Sequence, residues 1–139
     1  MKKKGELNKE KQLIPVLIQL IFWLHLPIVV LWFGLFLMPS SLWPGRITFH
    51  FWFIISIITV QFFWGLVYFP ITRKIDIICP LTTLMQSLRG FPFRSRENYG
   101  HSFIAELLGK LRLKVSYRWV NGLLIVTLIL IVVEYVWWK

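Results

Sequence analysis

Three long runs of apolar residues constrain this chain more than any other feature of its sequence. They cover residues 13–38, 47–71 and 119–138, and only the last run contains a charged side chain, Glu134. About 20 apolar residues are enough for a helix to cross the ~30 Å hydrocarbon core of a bilayer. Because lipid offers the backbone no hydrogen-bond partner, each run is expected to be a continuous helix. The sequence therefore predicts an all-α integral membrane protein with three transmembrane helices.

Composition and cysteine content exclude several other classes of protein. Hydrophobic residues make up 57% of the chain and aromatic residues 17%, well above the average for soluble domains. The single cysteine, Cys79, excludes a disulfide within one copy and a site built from several thiolates. The first run is too long for a signal peptide and has no small-x-small cleavage pattern after it, so it is expected to remain as an anchor.

The basic residues are distributed unevenly between the connections. Lysine and arginine number 16 against six acidic residues, which gives a net charge of +10. Fourteen of the 16 lie in residues 1–12 or 72–118, and only Arg46 and Lys139 lie elsewhere. The positive-inside rule then predicts a cytoplasmic N-terminus, a cytoplasmic loop at 72–118, an outer loop at 39–46 and an outer C-terminus. Topology and anionic lipid headgroups account for this charge, and no nucleic-acid partner is expected.

The long cytoplasmic loop contains two amphipathic patterns. Apolar residues at helical spacing follow Pro80, a residue suited to the first turn of a helix, and predict a helix at about 80–89. A second pattern follows Ser102, a suitable N-cap, and predicts a helix at about 102–114. Both are predicted to be short interfacial helices at the cytoplasmic surface.

Three features of the chain resemble a family of small bacterial membrane proteins of unknown function. They are the segment Cys79-Pro-Leu-Thr82, a histidine in each of the first two runs and the later segment 99–104. The pattern of that family is Cys-Pro-Leu-Thr-x-Leu-Glu after a membrane helix, followed by a stretch that contains Phe-Ile. Met85 stands where the pattern has an acidic residue, and residues 71–78 separate the second run from the cysteine. The resemblance covers the middle third of the chain. It implies three or four membrane helices and no catalytic residue; the expected location is the bacterial inner membrane.

Polar side chains inside the first two runs are the candidate cofactor contacts, namely His25, His50 and Gln61. Histidines in membrane helices are common haem ligands, and polar groups at membrane depth mark functional sites. At 1.5 Å per residue, His25 lies about 18 Å from the inner end of its helix and His50 about 4 to 5 Å from the outer end. One haem is therefore not expected to bind both. The open alternatives are a haem or quinone shared with another subunit and hydrogen bonds that only hold helices together.

Other residues are candidate contacts with a partner protein. On the second run His50, Gln61 and Tyr68 share one face with Gly65 close by, and such a stripe of polar and small residues suits another helix. Glu134 is expected to reach outer water or a basic residue of a partner. The candidate partner-binding positions are Cys79, Thr82, Gly65, Tyr68, His101 and Glu134.

The cysteine itself has two interpretations. Cys79 is expected to be a small buried residue at the start of a helix, because no base is evident near it in the sequence. The alternative is a nucleophile whose thiol is activated by the helix N-terminus. A metal site made from Asp76, Cys79 and His101 is not expected, since their spacing matches no known ligand pattern.

These patterns favour a function without catalysis. The chain has no phosphate-binding glycine loop, no paired carboxylates and no serine-histidine arrangement, and an enzyme is not expected. The leading prediction is an accessory membrane subunit that packs against a larger membrane complex and surrounding lipids. A redox subunit that binds haem or quinone between subunits is the first alternative, and a homo-oligomeric channel or transporter is the second. No cofactor is predicted for the chain alone.

Overall fold

The computed structural model describes residues 4–73, 75, 77–95, 98 and 102–138, with side chains from residue 12 onward. Within these residues the chain is helical and contains no strand. Three helices are long and apolar enough to cross a membrane. The predicted all-α class and its three membrane-length helices are therefore confirmed, whereas the direction of crossing stays a prediction. The five helices are α1 (Lys4–Leu37), α2 (Arg46–Thr72), α3 (Pro80–Leu88), α4 (Phe103–Lys110) and α5 (Tyr117–Trp138).

A tight turn joins α1 to α2 and makes them an antiparallel hairpin. The backbone N–H of Leu42 donates to the carbonyl of Pro39 at 3.0 Å, and that of Arg46 donates to Trp43 at 3.0 Å. A Cβ on Gly45 would lie 3.3 Å from Nε1 of Trp43, so the glycine allows the indole to fold over the turn. We call this side of the molecule the hairpin end and the opposite side the loop end.

The hairpin end of the three long helices is held by an apolar cluster. Trp32 of α1, Ile54 of α2 and Ile131 of α5 are buried against one another. The indole N–H of Trp32 donates to Oγ1 of Thr127 at 3.0 Å and so joins α1 to α5. Since one face of each helix is used in this way, most other apolar side chains of α1, α2 and α5 point outward, as lipid-facing residues do.

At the loop end the chain folds back along α2 instead of leaving it. Arg73 ends α2 in the left-handed region, with φ of 56°, and its N–H bonds to the carbonyl of Phe69 at 2.8 Å. A few residues later the N–H of Ile78 donates to the carbonyl of Gln61 at 3.3 Å. Gln61 precedes the end of α2 at Thr72 by 11 residues, about 16 Å of helix. The fold-back therefore returns the chain to the middle of the helix bundle.

The two short helices pack against α1. α3 begins at Pro80 and buries Met85 in a cluster with Ile21, Phe22 and Phe103, the first residue of α4. This apolar face agrees with the amphipathic pattern in the sequence. The position of α3 and α4 relative to a membrane surface stays a prediction.

An ion pair links α3 to α4, and a left-handed residue ends α4. The guanidinium of Arg89 donates two hydrogen bonds to the carboxylate of Glu106, at 3.1 and 2.8 Å. α4 ends at Lys110, four residues before the predicted end, because Arg112 has a φ of 63° and breaks the helical repeat.

Candidate functional site

A cavity of about 370 Å³ lies among α1, α2 and α5, beside the fold-back segment and the starts of α3 and α4. Its walls are mainly aliphatic side chains such as Ile57 and Leu128. Polar groups line the part of the cavity next to the fold-back. They include His25, Gln61, Cys79, Thr82, Asn98 and Asn121.

The imidazole of His25 is held in one orientation and one tautomer. Its Nδ1 lies 2.9 Å from the carbonyl oxygen of Ile21, one turn earlier on α1. Because a carbonyl can only accept, Nδ1 must carry the hydrogen, and Nε2 of the neutral ring presents a lone pair. Phe103 stacks on the ring, with centroids 4.7 Å apart and planes 14° from parallel. The basic nitrogen of His25 is therefore directed away from its own helix.

Two hydrogen-bond donors from the start of α3 face this nitrogen. The distance from Nε2 of His25 is 3.5 Å to Sγ of Cys79 and 3.4 Å to Oγ1 of Thr82. Sulfur is larger than oxygen, so 3.5 Å suits a thiol donor, whereas 3.4 Å is long for a hydroxyl, which prefers about 2.5 to 3.0 Å. The neutral imidazole has one lone pair to share. We infer that the thiol of Cys79 is its main partner and that Thr82 contributes a weak bond.

The surroundings of Cys79 favour its thiolate form. Burial on its own raises the pKa of the thiol. Once Nε2 of His25 has taken the thiol proton it donates a hydrogen bond to the thiolate, and this bond and the backbone amide of Thr82 outweigh burial, so the pKa of Cys79 lies below its ordinary value. Cys79 is also the N-cap residue of α3, where the helix dipole favours negative charge. A thiol at a helix N-terminus with a neutral imidazole beside it is the arrangement of an activated cysteine nucleophile.

Asn98 adds a polar group that is buried but incompletely bonded. It lines the cavity and is 4% exposed. Its Nδ2 donates to the carbonyl of Pro92 at 2.8 Å, and this bond identifies the nitrogen and the oxygen of the amide. Its Oδ1 has no hydrogen-bond partner among the described residues. A buried acceptor without a partner is costly, so this oxygen is suited to a donor that enters the cavity.

The site residues proposed from the sequence fall into separate groups. His25, Gln61, Cys79 and Thr82 come together around the cavity. His50 lies in a different cluster, where its Nε2 bonds to the carbonyl of Trp32 at 3.0 Å and its ring is 0% exposed. The two histidines therefore have different backbone partners and different neighbours.

The expected partner-binding residues on α2 mostly contact this same chain. Gly65 and Tyr68 are buried. The ring of Tyr68 packs against Trp64, with centroids 5.4 Å apart, and against Phe93 from the loop, with centroids 5.2 Å apart. His101 and Asp76 lie outside the described residues.

Glu134 has a basic partner within its own chain. Its carboxylate forms an ion pair with Arg46, and a contact with outer water or another protein stays a prediction. Nη1 of Arg46 donates to the carbonyl of Leu35 at 2.8 Å. The short hairpin explains this ion pair, because it sets Arg46 at the start of α2, beside the last turns of α5.

Sequence reasoning missed the base that faces Cys79. His25 precedes the cysteine by 54 residues, and no local spacing connects them. It also missed Asn98, which stands in an irregular basic loop with no recognisable pattern. Among the residues that the structure describes, no group of three His, Cys, Asp or Glu side chains could hold a metal ion.

Comparisons with known proteins found no relative of this chain. No family model, no curated protein and no solved structure matches the chain. The resemblance around Cys79-Pro-Leu-Thr82 therefore stays a prediction, and the function must be argued from the site.

Proposed function

We propose that this protein binds an amphipathic, lipid-like small molecule in the cavity among α1, α2 and α5. The observation that supports the proposal is the division of the cavity wall into a polar part and an aliphatic part. His25, Cys79 and Asn98 lie on the polar part, and Ile57 and Leu128 on the aliphatic part. A volume of about 370 Å³ is within the range of small-molecule sites. A molecule with a polar head and a hydrocarbon chain matches both parts.

The proposed location of this site is the cytoplasmic leaflet of a bacterial inner membrane. Four exposed basic residues lie from the last residue of α4 to the second residue of α5, namely Lys110, Arg112, Lys114 and Arg118. Basic residues next to a membrane span favour the cytoplasmic side and attract anionic lipid headgroups. The loop end, with the polar part of the cavity beside it, then faces the cytoplasm.

Filling the aliphatic part of the cavity tests this proposal. Ile57→Trp places an indole in the cavity wall, and Val60→Trp, on the same helix but 58% exposed, places one toward lipid. Both variants and the unmodified protein are extracted in mild detergent and examined by native mass spectrometry with lipid analysis. We expect a discrete bound species with the unmodified protein and Val60→Trp, and its loss with Ile57→Trp. Equal lipid content in all three would contradict a defined cavity ligand.

An accessory membrane subunit is the second candidate, supported by the small share of each span that packs within the chain. Only 17% of the residues in the most apolar window of each long helix are buried. The remaining surface is available to lipid or to a larger membrane protein. Gentle extraction and size separation, with identification of co-migrating proteins, tests this candidate; migration as a small species alone would contradict it.

The redox alternative depends on whether His25 or His50 can reach a cofactor. Nε2 of His25 faces Cys79, and Nε2 of His50 faces the carbonyl of Trp32. His25 would have to give up that contact to bind a haem iron, whereas Nδ1 of His50 has no hydrogen-bond partner among the described residues but is buried. A visible spectrum of the same separated band tests this alternative, and a haem absorbance that is lost in His25→Ala would support it over lipid binding.

A further inference from the structure

We propose that Cys79 is a nucleophile that accepts an acyl group from a long-chain acyl thioester bound in the cavity, with His25 as its general base. The inference rests on the proposed lipid-like ligand and names its chemical class. It also assigns a covalent step to the site.

The first support is the geometry of the thiol and the imidazole. Sγ of Cys79 lies 3.5 Å from Nε2 of His25, and Nδ1 of the same ring is engaged by the carbonyl of Ile21. Nε2 is therefore free to accept the thiol proton, and the ring cannot turn without losing the Ile21 bond and the stacking with Phe103. A positioned base of this kind is what a cysteine needs to act as a nucleophile near neutral pH.

The second support comes from Asn98, which points to a ligand independently of the thiol. Asn98 lines the cavity, and its Oδ1 is buried and has no partner among the described residues. An amide oxygen can only accept a hydrogen bond, so its partner must be an N–H or O–H group of a ligand. Thioester carriers of the pantetheine type have an amide N–H a few bonds from the sulfur, which is a donor of the required kind.

The shape and polarity of the cavity favour an acyl chain as the transferred group. Ile57 and Leu128 line the cavity together with Cys79, so a chain whose carbonyl lies at the sulfur can extend along aliphatic walls. The backbone N–H of Leu81 lies in the first turn of α3, where intrahelical partners are missing. Such a group stabilises the negative oxygen that forms when a thiolate adds to a carbonyl.

The proposed step exchanges one thioester for another. Nε2 of His25 takes the proton from Sγ of Cys79, and the sulfur forms a bond to the carbonyl carbon. The bond from that carbon to the sulfur of the donor then breaks, and the proton passes from His25 to the departing thiolate. The products are S-acylated Cys79 and a free thiol, and no atom is oxidised or reduced. A thioester donor is favoured over an oxygen ester, because the bond formed and the bond broken are then both carbon–sulfur bonds of a thioester.

The test uses the full chain in lipid nanodiscs and an alkyne-tagged palmitoyl thioester of coenzyme A as the probe. Acylation is followed by intact mass and by removal of the adduct with neutral hydroxylamine. We expect a hydroxylamine-sensitive adduct on the unmodified protein and none on Cys79→Ser. His25→Asn should slow the reaction by about 100-fold, the lower end of what a general base contributes.

A relocated cysteine provides the matched control. Ser87 is an exposed residue two turns further along α3, and Cys79→Ser combined with Ser87→Cys again leaves one thiol in the chain. We expect this variant to acylate about 100-fold more slowly than the unmodified protein, since its thiol lacks the imidazole. Acylation at equal rates would overturn the proposal, because the label would then report only a lipid-accessible thiol.

Two further measurements separate this proposal from the proposed function and from misfolding. If Cys79→Ser retains the probe but the unmodified protein forms no adduct, the covalent step is overturned and lipid binding stands. If the probe is not retained and no adduct forms, both the covalent step and the proposed lipid binding are contradicted. Reversible methylthiolation of the unmodified protein blocks Cys79 without a mutation. We expect it to abolish acylation, and reduction should restore it. Acylation that persists on the blocked protein would assign the adduct to another residue and overturn the proposal.

Discussion

The two histidines of the membrane helices lie in opposite kinds of environment. At the hairpin end His50 is 0% exposed and its Nε2 bonds to the carbonyl of Trp32. That ring and the ring of Phe36 form a T-shaped pair, with centroids 4.8 Å apart. At the loop end His25 also bonds to a backbone carbonyl, but its second nitrogen faces the thiol of Cys79 at the wall of a cavity. One ring is enclosed by packing, and the other has a nitrogen placed beside a reactive group.

This difference shows that a histidine at membrane depth is not by itself a functional site. His50 lies near the ion pair of Arg46 and Glu134, in a region where polar groups join helices of the same chain. His25 lies where a loop brings a thiol and an unpaired amide oxygen to one cavity. We infer that the hairpin end supports the fold and that the loop end carries the function.

The largest expected effect is the loss of the hairpin-end ion pair. Glu134→Ala leaves the buried guanidinium of Arg46 without its anionic partner, and breaking a buried pair on one side typically costs about 3 to 5 kcal/mol. The measurement is thermal unfolding in detergent, followed by size exclusion. The double variant Glu134→Ala with Arg46→Leu should recover most of the loss. If Cys79→Ser lowered stability as much as Glu134→Ala, the division between a structural end and a functional end would be wrong.

The second prediction compares the two histidines directly through the reactivity of Cys79. His25→Asn should slow alkylation of Cys79 by iodoacetamide, because the thiol then loses the imidazole that favours its thiolate form. His50→Asn serves as the control and should leave the alkylation rate unchanged, because His50 has no contact with the cavity. Equal slowing in both variants would indicate a general loss of structure.

The pH dependence of the same alkylation sharpens the comparison. Alkylation follows the thiolate, and the pKa of Cys79 lies below the ordinary value of 9.0. The rate should therefore rise at lower pH in the unmodified protein than in the relocated-cysteine variant with Ser87→Cys. Rates that rise together with pH in both proteins would show that the start of α3 does not activate the thiol.

The smallest expected effect concerns the link between the two short helices. Arg89→Met removes the paired hydrogen bonds to Glu106, whose side chain is 20% exposed, and should cost about 1 kcal/mol or less. Arg89→Met should affect the site more than it affects stability, because α4 holds Phe103 over the ring of His25. We expect altered alkylation of Cys79 with little change in thermal stability. Lys114→Met, at an exposed position beyond α4, is the control and should change neither.

The sequence by itself determined the helical framework. Three apolar runs long enough to span a bilayer predicted α1, α2 and α5, and the structure has membrane-length helices there. Pro80 and the apolar repeat that follows it marked a helix in the loop, and α3 begins at that proline. Such features are local, because hydrophobic length, helical periodicity and proline chemistry act within a few turns of one segment.

Only the tertiary structure decided which of these segments form the site. The fold-back that bonds Ile78 to Gln61 brings Cys79 to His25, 54 residues earlier, and the hairpin brings Arg46 to Glu134, 88 residues later. Neither pairing leaves a spacing signal, because the separation along the chain is set by the lengths of the helices between the partners. The thiol acquires its base, and the charge its partner, from the packing of helices against one another.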